Sequence, residues 1–259
     1  MIIGVSGKIN SGKDEVGKII EYLTRDIKYV TYSYDEFNSE FGVMHRWKIK
    51  KFADKLKDIV CLLLNCTREE LEDHDFKDKP LGLEWKYYIR PDNIGFGIYS
   101  SEMFEELYPN QKTWFEPCLL TPRKLLQLLG TDCGRKIIHP NIWCNSLMEE
   151  YRNKYEFYRG QNHMLILQGI LTEEECMPDW VITDVRFPNE AKAVKEKNGL
   201  NIRIDRPIKR IEKLPIHESE TALDNYKFDY KIYNDGSIAD LIEKVRFILK
   251  SENILHGGK

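Results

Sequence analysis

No apolar run in this chain approaches the roughly 20 residues that a membrane-spanning helix needs. An apolar stretch that already reads as a strand from Ile2 leaves no room for a leader, so a cytoplasmic protein is expected. Positive charge is not in excess. The 39 Lys and Arg against 42 Asp and Glu give a formal net charge of −3, so no global basic field recruits nucleic acid. Cysteine is sparse and unpatterned: Cys61, Cys66, Cys118, Cys133, Cys144 and Cys176 form no C-x-x-C pair and no zinc spacing, and reduced thiols are expected. Internal repeats and low-complexity tracts are lacking too. What is present, 42% hydrophobic and 31% charged residues over 259 positions, is an ordinary globular composition, enough for one large domain or a domain with inserts.

The first fourteen residues organise the rest. An apolar run, Ile2 to Val5, leads into Gly7-Lys8-Ile9-Asn10-Ser11-Gly12-Lys13, and Val16, Ile19, Ile20 and Leu23 then repeat on one helical face. Strand, glycine-rich loop and helix in that order form the setting of a phosphate-binding loop. Its backbone N–H groups and the helix N-terminus attract an anion, and Lys13 would reach the β- and γ-phosphates of a nucleoside triphosphate. Asp14 stands where Ser or Thr is usual. A carboxylate there can hold Mg²⁺ directly or through water.

Further along, Val30–Tyr34 reads as a strand ending at Asp35. Phe52–Leu64 reads as a helix burying Leu56, Ile59, Val60 and Leu63, and Thr67-x-x-Glu70 as a capping box. Periodicity fails between Lys77 and Pro117, which suggests a surface insert. Thr121-Pro122 opens a helix whose apolar face is Leu125, Leu128 and Leu129. Arg123, Gln127 and Thr131 line another face, which on spacing alone reads as a solvated stripe. A helix is expected from Asn141 to Tyr151, a polar loop through His163, and a second capping box at Thr172-x-x-Glu175. Trp180–Thr183 reads as a buried strand with Asp184 at its end and Arg186 beyond. A strand-end Asp is commonly a turn residue, but a P-loop upstream makes it a Walker B candidate. A helix over Glu190–Lys197 stops at Gly199, and Leu200, Ile202 and Ile204 alternate as a strand. A charged segment from Arg206 to Asp224 follows, with Arg203, Arg206 and Arg210 close together. Tyr230–Tyr233 is the last strand, and Ser237 caps a helix burying Ile238, Leu241, Ile242, Val245, Ile248 and Leu249, with fraying expected after Ser251.

Strands alternating with helices predict an α/β fold: a five-stranded, mainly parallel sheet with helices on both faces. Ligands bind such sheets at the carboxyl ends of the strands. Gly7, Asp35, Asp184, Arg206 and Asn234 all fall there.

These motifs together carry a resemblance. Gly7-Lys-x-x-Ser11-Gly-Lys-Asp14 is similar to the modified Walker A of phage-type deoxynucleoside monophosphate kinases. So are Thr121-Pro-Arg-Lys-Leu-Leu-Gln127-x-Leu-Gly130-Thr131 through Gly134-Arg135, and His139-Pro-Asn141-x-Trp143. Thr183-Asp-Val-Arg-Phe-Pro-Asn-Glu190, His217-x-Ser-Glu220-x-x-Leu-Asp224 and Asn234-Asp-Gly-Ser237 complete the set. The resemblance covers most of the chain outside the aromatic insert. It implies a P-loop, adenylate-kinase-like fold in one domain over 1–259, with an acceptor-binding and insert region at 35–151 and a lid at 206–224. It implies transfer of the γ-phosphoryl of ATP, with Mg²⁺, to a deoxynucleoside 5′-monophosphate for dNTP supply.

By the same resemblance Gly7, Lys8, Asn10, Ser11, Gly12, Lys13, Asp14, Asn234 and Gly236 bind ATP, and Asp14 and Asp184 hold the metal or its waters. Lys13, Arg186, Arg206 and Arg210 neutralise the transferring group. Asp35, Arg123, Gln127, Thr131, Arg135 and Trp143 bind the acceptor, with Arg123 on its phosphate. No membrane or nucleic-acid partner is implied, a homodimer is the oligomer the likeness suggests, and the cytoplasm is the host's if a phage encodes the chain. Phosphomevalonate kinases of the animal type share the Ser-Gly-Lys-Asp ending and are an alternative, as is a nucleic-acid-linked P-loop ATPase. A regulatory GTPase needs Asn-Lys-x-Asp, and Asn153-Lys-Tyr-Glu156 fails at its last residue.

Overall fold

The structure, a computed structural model, describes residues 1–25, 34, 47–89, 98–107, 116–151, 177–207 and 218–255. These form two compact units, one of Met1–Phe52 with Trp143–Lys259 and one of Ala53–Ile142.

The first unit is built on five parallel strands: β1 (Ile2–Gly7), β2 (Trp47–Lys50), β6 (Asp179–Val185), β7 (Leu200–Asp205) and β8 (Tyr230–Tyr233). Their spatial order is β2-β6-β1-β7-β8, so the P-loop strand is central. The expected alternation in β7 is absent: Asn201 and Arg203 are buried along with Leu200, Ile202 and Ile204. Both faces of an inner parallel strand are covered, and such strands lose their polar face.

The helix α1 (Lys13–Thr24) buries Val16, Ile19, Ile20 and Leu23, as its spacing predicts. It shares a core with α9 (Ile238–Ser251), where Leu241, Val245, Ile248 and Leu249 meet Ile3, Val5, Ile202 and Ile204. Ile238 is 43% exposed, contrary to its expected place on that face, because it sits in the first turn beside the capped end. The chain after Ser251 does not fray at once. The N–H groups of Ile254 and Leu255 both bond the Leu249 carbonyl, and both side chains pack on the core. Also in this unit are α7 (Ile142–Met148) and α8 (Pro188–Glu196), the latter ending at Gly199 as expected.

Sequence periodicity did not mark one strand of this sheet. Tyr34, the described residue of the Val30–Tyr34 stretch, is helical. The sheet includes Trp47-Lys-Ile-Lys50, paired with β6 from Trp47 opposite Asp179 to Lys50 opposite Ile182. Two lysines in four residues obscure the apolar pattern, yet they suit an edge strand, where charge discourages further pairing. Residues 30–33, Asp35, the loop through His163, the Thr172 capping box and Cys176 lie outside the described residues.

The second unit begins with α2 (Asp54–Leu64), which buries Leu56 and Val60 but leaves Ile59 and Leu63 exposed, against expectation. Its buried stripe is a single i, i+4 pair. The Thr67–Glu70 capping box is present and starts α3 (Arg68–Glu72), followed by α4 (His74–Asp78). The stretch read as an insert contains a three-stranded antiparallel sheet, β3 (Lys86–Ile89) between β4 (Ile98–Ser100) and β5 (Glu116–Leu119), and a helix α5 (Ser101–Leu107). Strands of three or four residues are too short to show period in sequence.

Thr121 caps α6 (Pro122–Gln127) by accepting the Lys124 N–H at 3.2 Å, with Pro122 in the first turn. From Leu128 to Ile138 the chain winds as a π-helix, each N–H reaching five residues back. The wider turn changes the angle per residue, so Thr131 leaves the straight stripe that α-helical spacing predicted with Arg123 and Gln127.

Gly17, in the middle of α1, marks a close helix–sheet approach. A Cβ there would lie 2.6 Å from Thr183 Cγ2 and 3.4 Å from Ile49 Cδ1. Gly17→Val should destabilise the protein by about 1–3 kcal/mol through overpacking, read as a lower denaturant midpoint with unchanged slope.

Candidate active site

The carboxyl ends of β1, β6, β7 and β8 bring the P-loop, Asp184, Arg206 and Asn234 to one edge of the sheet, as the parallel topology requires. A cavity of about 600 Å³ opens there, bounded by the loop from Asn10 to Glu15, by Arg206 and by the Asn234–Leu241 turn into α9. The loop's shape depends on Gly12, whose φ of 98° places it where L side chains are strained, and on Asn10, at 59°. The Ser11 carbonyl accepts Asn234 Nδ2 at 2.9 Å, and the Asn10 carbonyl accepts Arg206 Nη1 at 3.4 Å.

Lys13 turns back over the loop. Its ammonium donates to the carbonyls of Gly7 and Lys8, each at 2.7 Å, and the residue is only 9% exposed. Burial and the neighbouring Arg186 charge lower its pKa from the usual lysine value to about 8, against the opposing charges of Glu220, Asp14 and Asp184.

Asp14 is held from two sides. Lys51, just past β2, pairs with its Oδ1 at 2.8 Å, and Thr183 Oγ1 donates to the same oxygen at 2.8 Å. Lost hydration opposes its ionisation, but the hydrogen bond and charge of Lys51, helped by Thr183, hold the carboxyl below its usual range. Asp184 Oδ1 accepts the Phe52 N–H at 2.7 Å. Periodicity did not reveal β2, and two elements of the site, Lys51 and the Phe52 amide, come from just past its end. Among the described residues no three His, Cys, Asp or Glu converge as a metal cage. Mg²⁺ keeps waters and phosphate oxygens and takes one or two carboxylates, so Asp14 and Asp184 fit that ion as a donor set.

Arg186 donates to Glu220 Oε1 at 2.9 Å and to Ser219 Oγ at 3.3 Å. Lys8 faces Asp224 at 3.6 Å, and the buried Arg203 donates to Asp224 and Ser6 at 3.3 Å each. Sequence reading assigned no role to Lys51, Thr183, Glu220 or Arg203. Thr183 and Glu220 sit inside matched motifs, and that was their one signal.

Arg123, Gln127, Thr131 and Arg135 belong to the second unit. There Arg123 forms a two-point pair with Asp78, Nε to Oδ1 at 2.5 Å and Nη2 to Oδ2 at 2.9 Å, which lowers the Asp78 pKa and raises that of Arg123. Trp143 lies in α7 of the first unit and is 7% exposed. Asp35 and Arg210 lie outside the described residues.

A parallel sheet with a P-loop on its central strand, a buried lysine after the loop and a carboxylate at the end of β6 defines a P-loop nucleotide-binding protein. Comparison with known proteins narrows the class. Residues 99–245 match the family model described as deoxynucleotide monophosphate kinase, and the chain belongs to that family. It is 27% identical over 224 residues to the deoxynucleoside-5′-monophosphate kinase of Escherichia phage T5, covering 78% of this chain and 74% of that one. It is also 32% identical over 152 residues to a protein of Acanthamoeba polyphaga mimivirus provisionally named a deoxynucleotide monophosphate kinase, covering 57% and 68%. Family membership sets aside the phosphomevalonate-kinase and nucleic-acid ATPase alternatives. Among the described residues no helix is long and apolar enough to cross a membrane.

The Lys13 pKa sets a pH dependence. Below pH 8 the free protein already carries the ammonium, so a polyphosphate meets a charged partner. Above pH 8 the free lysine is mostly neutral, binding must take up a proton, and affinity should fall by up to about tenfold per pH unit. Calorimetry of ATP binding at pH 9 in buffers of different ionisation enthalpy should report uptake approaching one proton, and Lys13→Met should abolish it.

Proposed function

We propose that this protein transfers the γ-phosphoryl group of ATP to deoxynucleoside 5′-monophosphates with Mg²⁺ as the assisting ion. The observation that carries the reading is the Lys13 ammonium, buried on the loop's own carbonyls beside a cavity of about 600 Å³ in a chain of this family.

Phosphoryl transfer asks for positioning and charge neutralisation more than for covalent chemistry. Gly7, Lys8, Asn10, Ser11, Gly12, Asn234 and Gly236 cradle the donor, and the Asn234 side chain sets the turn near its base by tying it to the Ser11 carbonyl. Lys13 leaves the Gly7 and Lys8 carbonyls for the β/γ-oxygens when a polyphosphate offers better acceptors. Arg186 and Arg206, with Arg210 from the lid segment 206–224, neutralise charge on the transferring group. Asp14 and Asp184 would hold the metal, and Mg²⁺ there would neutralise charge on the phosphate oxygens. Lys51 holds Asp14 ionised. The acceptor is read by Asp35, Arg123, Gln127, Thr131, Arg135 and Trp143. Asp78 uses two of the five N–H donors of Arg123 and fixes its plane, leaving the remaining donors for a phosphate. Oligomeric state belongs to the same proposal as a homodimer, and the compartment as the cytoplasm.

Production of ADP from ATP should be stimulated by at least one of the four common deoxynucleoside monophosphates and not by phosphomevalonate. Arg123→Ala should raise the KM of the monophosphate at least tenfold while changing that of ATP little, since a charge-assisted phosphate contact contributes about 1.5–3 kcal/mol. No stimulation by any monophosphate, with DNA accelerating hydrolysis instead, would refute the reading. Equal changes in both KM values would refute the place of Arg123 alone.

Asp14→Ala should raise the Mg²⁺ concentration for half-maximal rate several-fold, and Lys51→Ala should not, because it frees the carboxylate rather than removing it. Unchanged Mg²⁺ titrations in both variants would reduce Asp14 to the partner of Lys51.

A further inference from the structure

The stretch from Glu218 to Asp229 grips the P-loop at two successive residues. Glu220 accepts the Ile9 backbone N–H through Oε2 at 2.9 Å and the Arg186 guanidinium through Oε1 at 2.9 Å. Four residues on, Asp224 faces Lys8 at 3.6 Å and Arg203 at 3.3 Å. This stretch is anchored. Leu223 and Phe228 are buried, Arg203 lies over the Phe228 ring at 5.7 Å, and Asp229 accepts the Asn201 N–H at 2.7 Å. The Glu220 side chain is itself mostly enclosed, 20% exposed.

Arg186 has reason to need a holder. It follows β6 as a long side chain, 36% exposed, and an arginine that must be ordered during the reaction loses rotamer freedom at the transition state. A lone carboxylate on a P-loop amide would repel a polyphosphate. Paired with Arg186 it is neutralised, and the guanidinium keeps further N–H groups for phosphate oxygens. The two oxygens serve different partners, so the arginine is fixed relative to the loop backbone itself. Arg186 and Glu220 both lie close enough to Lys13 to act on its charge.

We propose that Glu220 is a positioning residue for phosphoryl transfer, holding the Arg186 guanidinium in register with the phosphate-binding loop through Ile9. The role rests on the reading of Arg186 given under the proposed function.

The test is a mutant cycle on the full-length chain: parent, Arg186→Ala, Glu220→Ala, the double variant and Glu220→Gln, assayed with ATP and a deoxynucleoside monophosphate. Thermal melts confirm folding. Arg186→Ala and Glu220→Ala should each lower kcat by roughly 100-fold, with both KM values moving by less than about threefold. The double variant should be no slower than Arg186→Ala. Glu220→Gln, which keeps one acceptor oxygen, should recover part of the rate. Parental kcat in Glu220→Ala beside a slow Arg186→Ala overturns the positioning role alone. Losses that multiply in the double variant overturn it too, because Glu220 would then act apart from Arg186. A many-fold lower KM for ATP in Glu220→Ala would make the carboxylate an obstruction instead. Parental kcat in Arg186→Ala removes the catalytic reading of Arg186 and the positioning role together. Should Glu220→Ala fail to fold, the cycle built on Glu220→Gln makes the same comparison.

Discussion

The site depends on keeping a lysine ammonium dry before any phosphate arrives. Lys13 lies under the rim of its own loop, bonded to the carbonyls of Gly7 and Lys8. Desolvation disfavours the charged form, and Arg186 nearby disfavours it further. Two carbonyls partly replace the lost water. A polyphosphate supplies stronger acceptors in the same place, so part of the binding free energy is stored in the loop as a poorly solvated charge.

A cluster of cations around an anion site must also be stable without the anion, and here carboxylates provide the balance. Asp14 takes Lys51, Glu220 takes Arg186, and Asp224 is shared by Lys8 and the buried Arg203. Each pair sets a geometry as well as neutralising charge. Arg203 shows the cost of doing otherwise: buried under the loop, it is surrounded by Ser6, Asp205 and Asp224, because an unpaired guanidinium at that depth would destabilise the unit.

The second unit uses the same device on a different scaffold. Asp78, ending α4, orients Arg123 at the start of α6. Below Arg123 the helix widens into a π-helix over Leu128–Ile138. Gly130 and Gly134 are buried within it, and a Cβ on Gly130 would come 2.7 Å from Leu56 of α2. Close packing on α2 and an altered winding therefore coincide in one segment.

By itself the sequence determined the P-loop, α1, β6, β8, the caps at Thr67, Thr121 and Ser237, and the parallel α/β class. Each of these is carried by a local signal: glycines where backbone must turn, a hydroxyl before a helix, or an apolar run long enough to show its period. It could not show that Trp47–Lys50 joins the sheet, since strand choice depends on which segment pairs with β6, a partner about 130 residues away. Lys51 and the Phe52 amide therefore came into the site only with the tertiary structure. The same holds for the π-winding after Gln127, the Asp78–Arg123 pair and the grip of Glu220 on Ile9. All of these are contacts between residues far apart in the chain or departures from regular winding. No spacing rule encodes either, because it is packing that decides which neighbours a side chain meets.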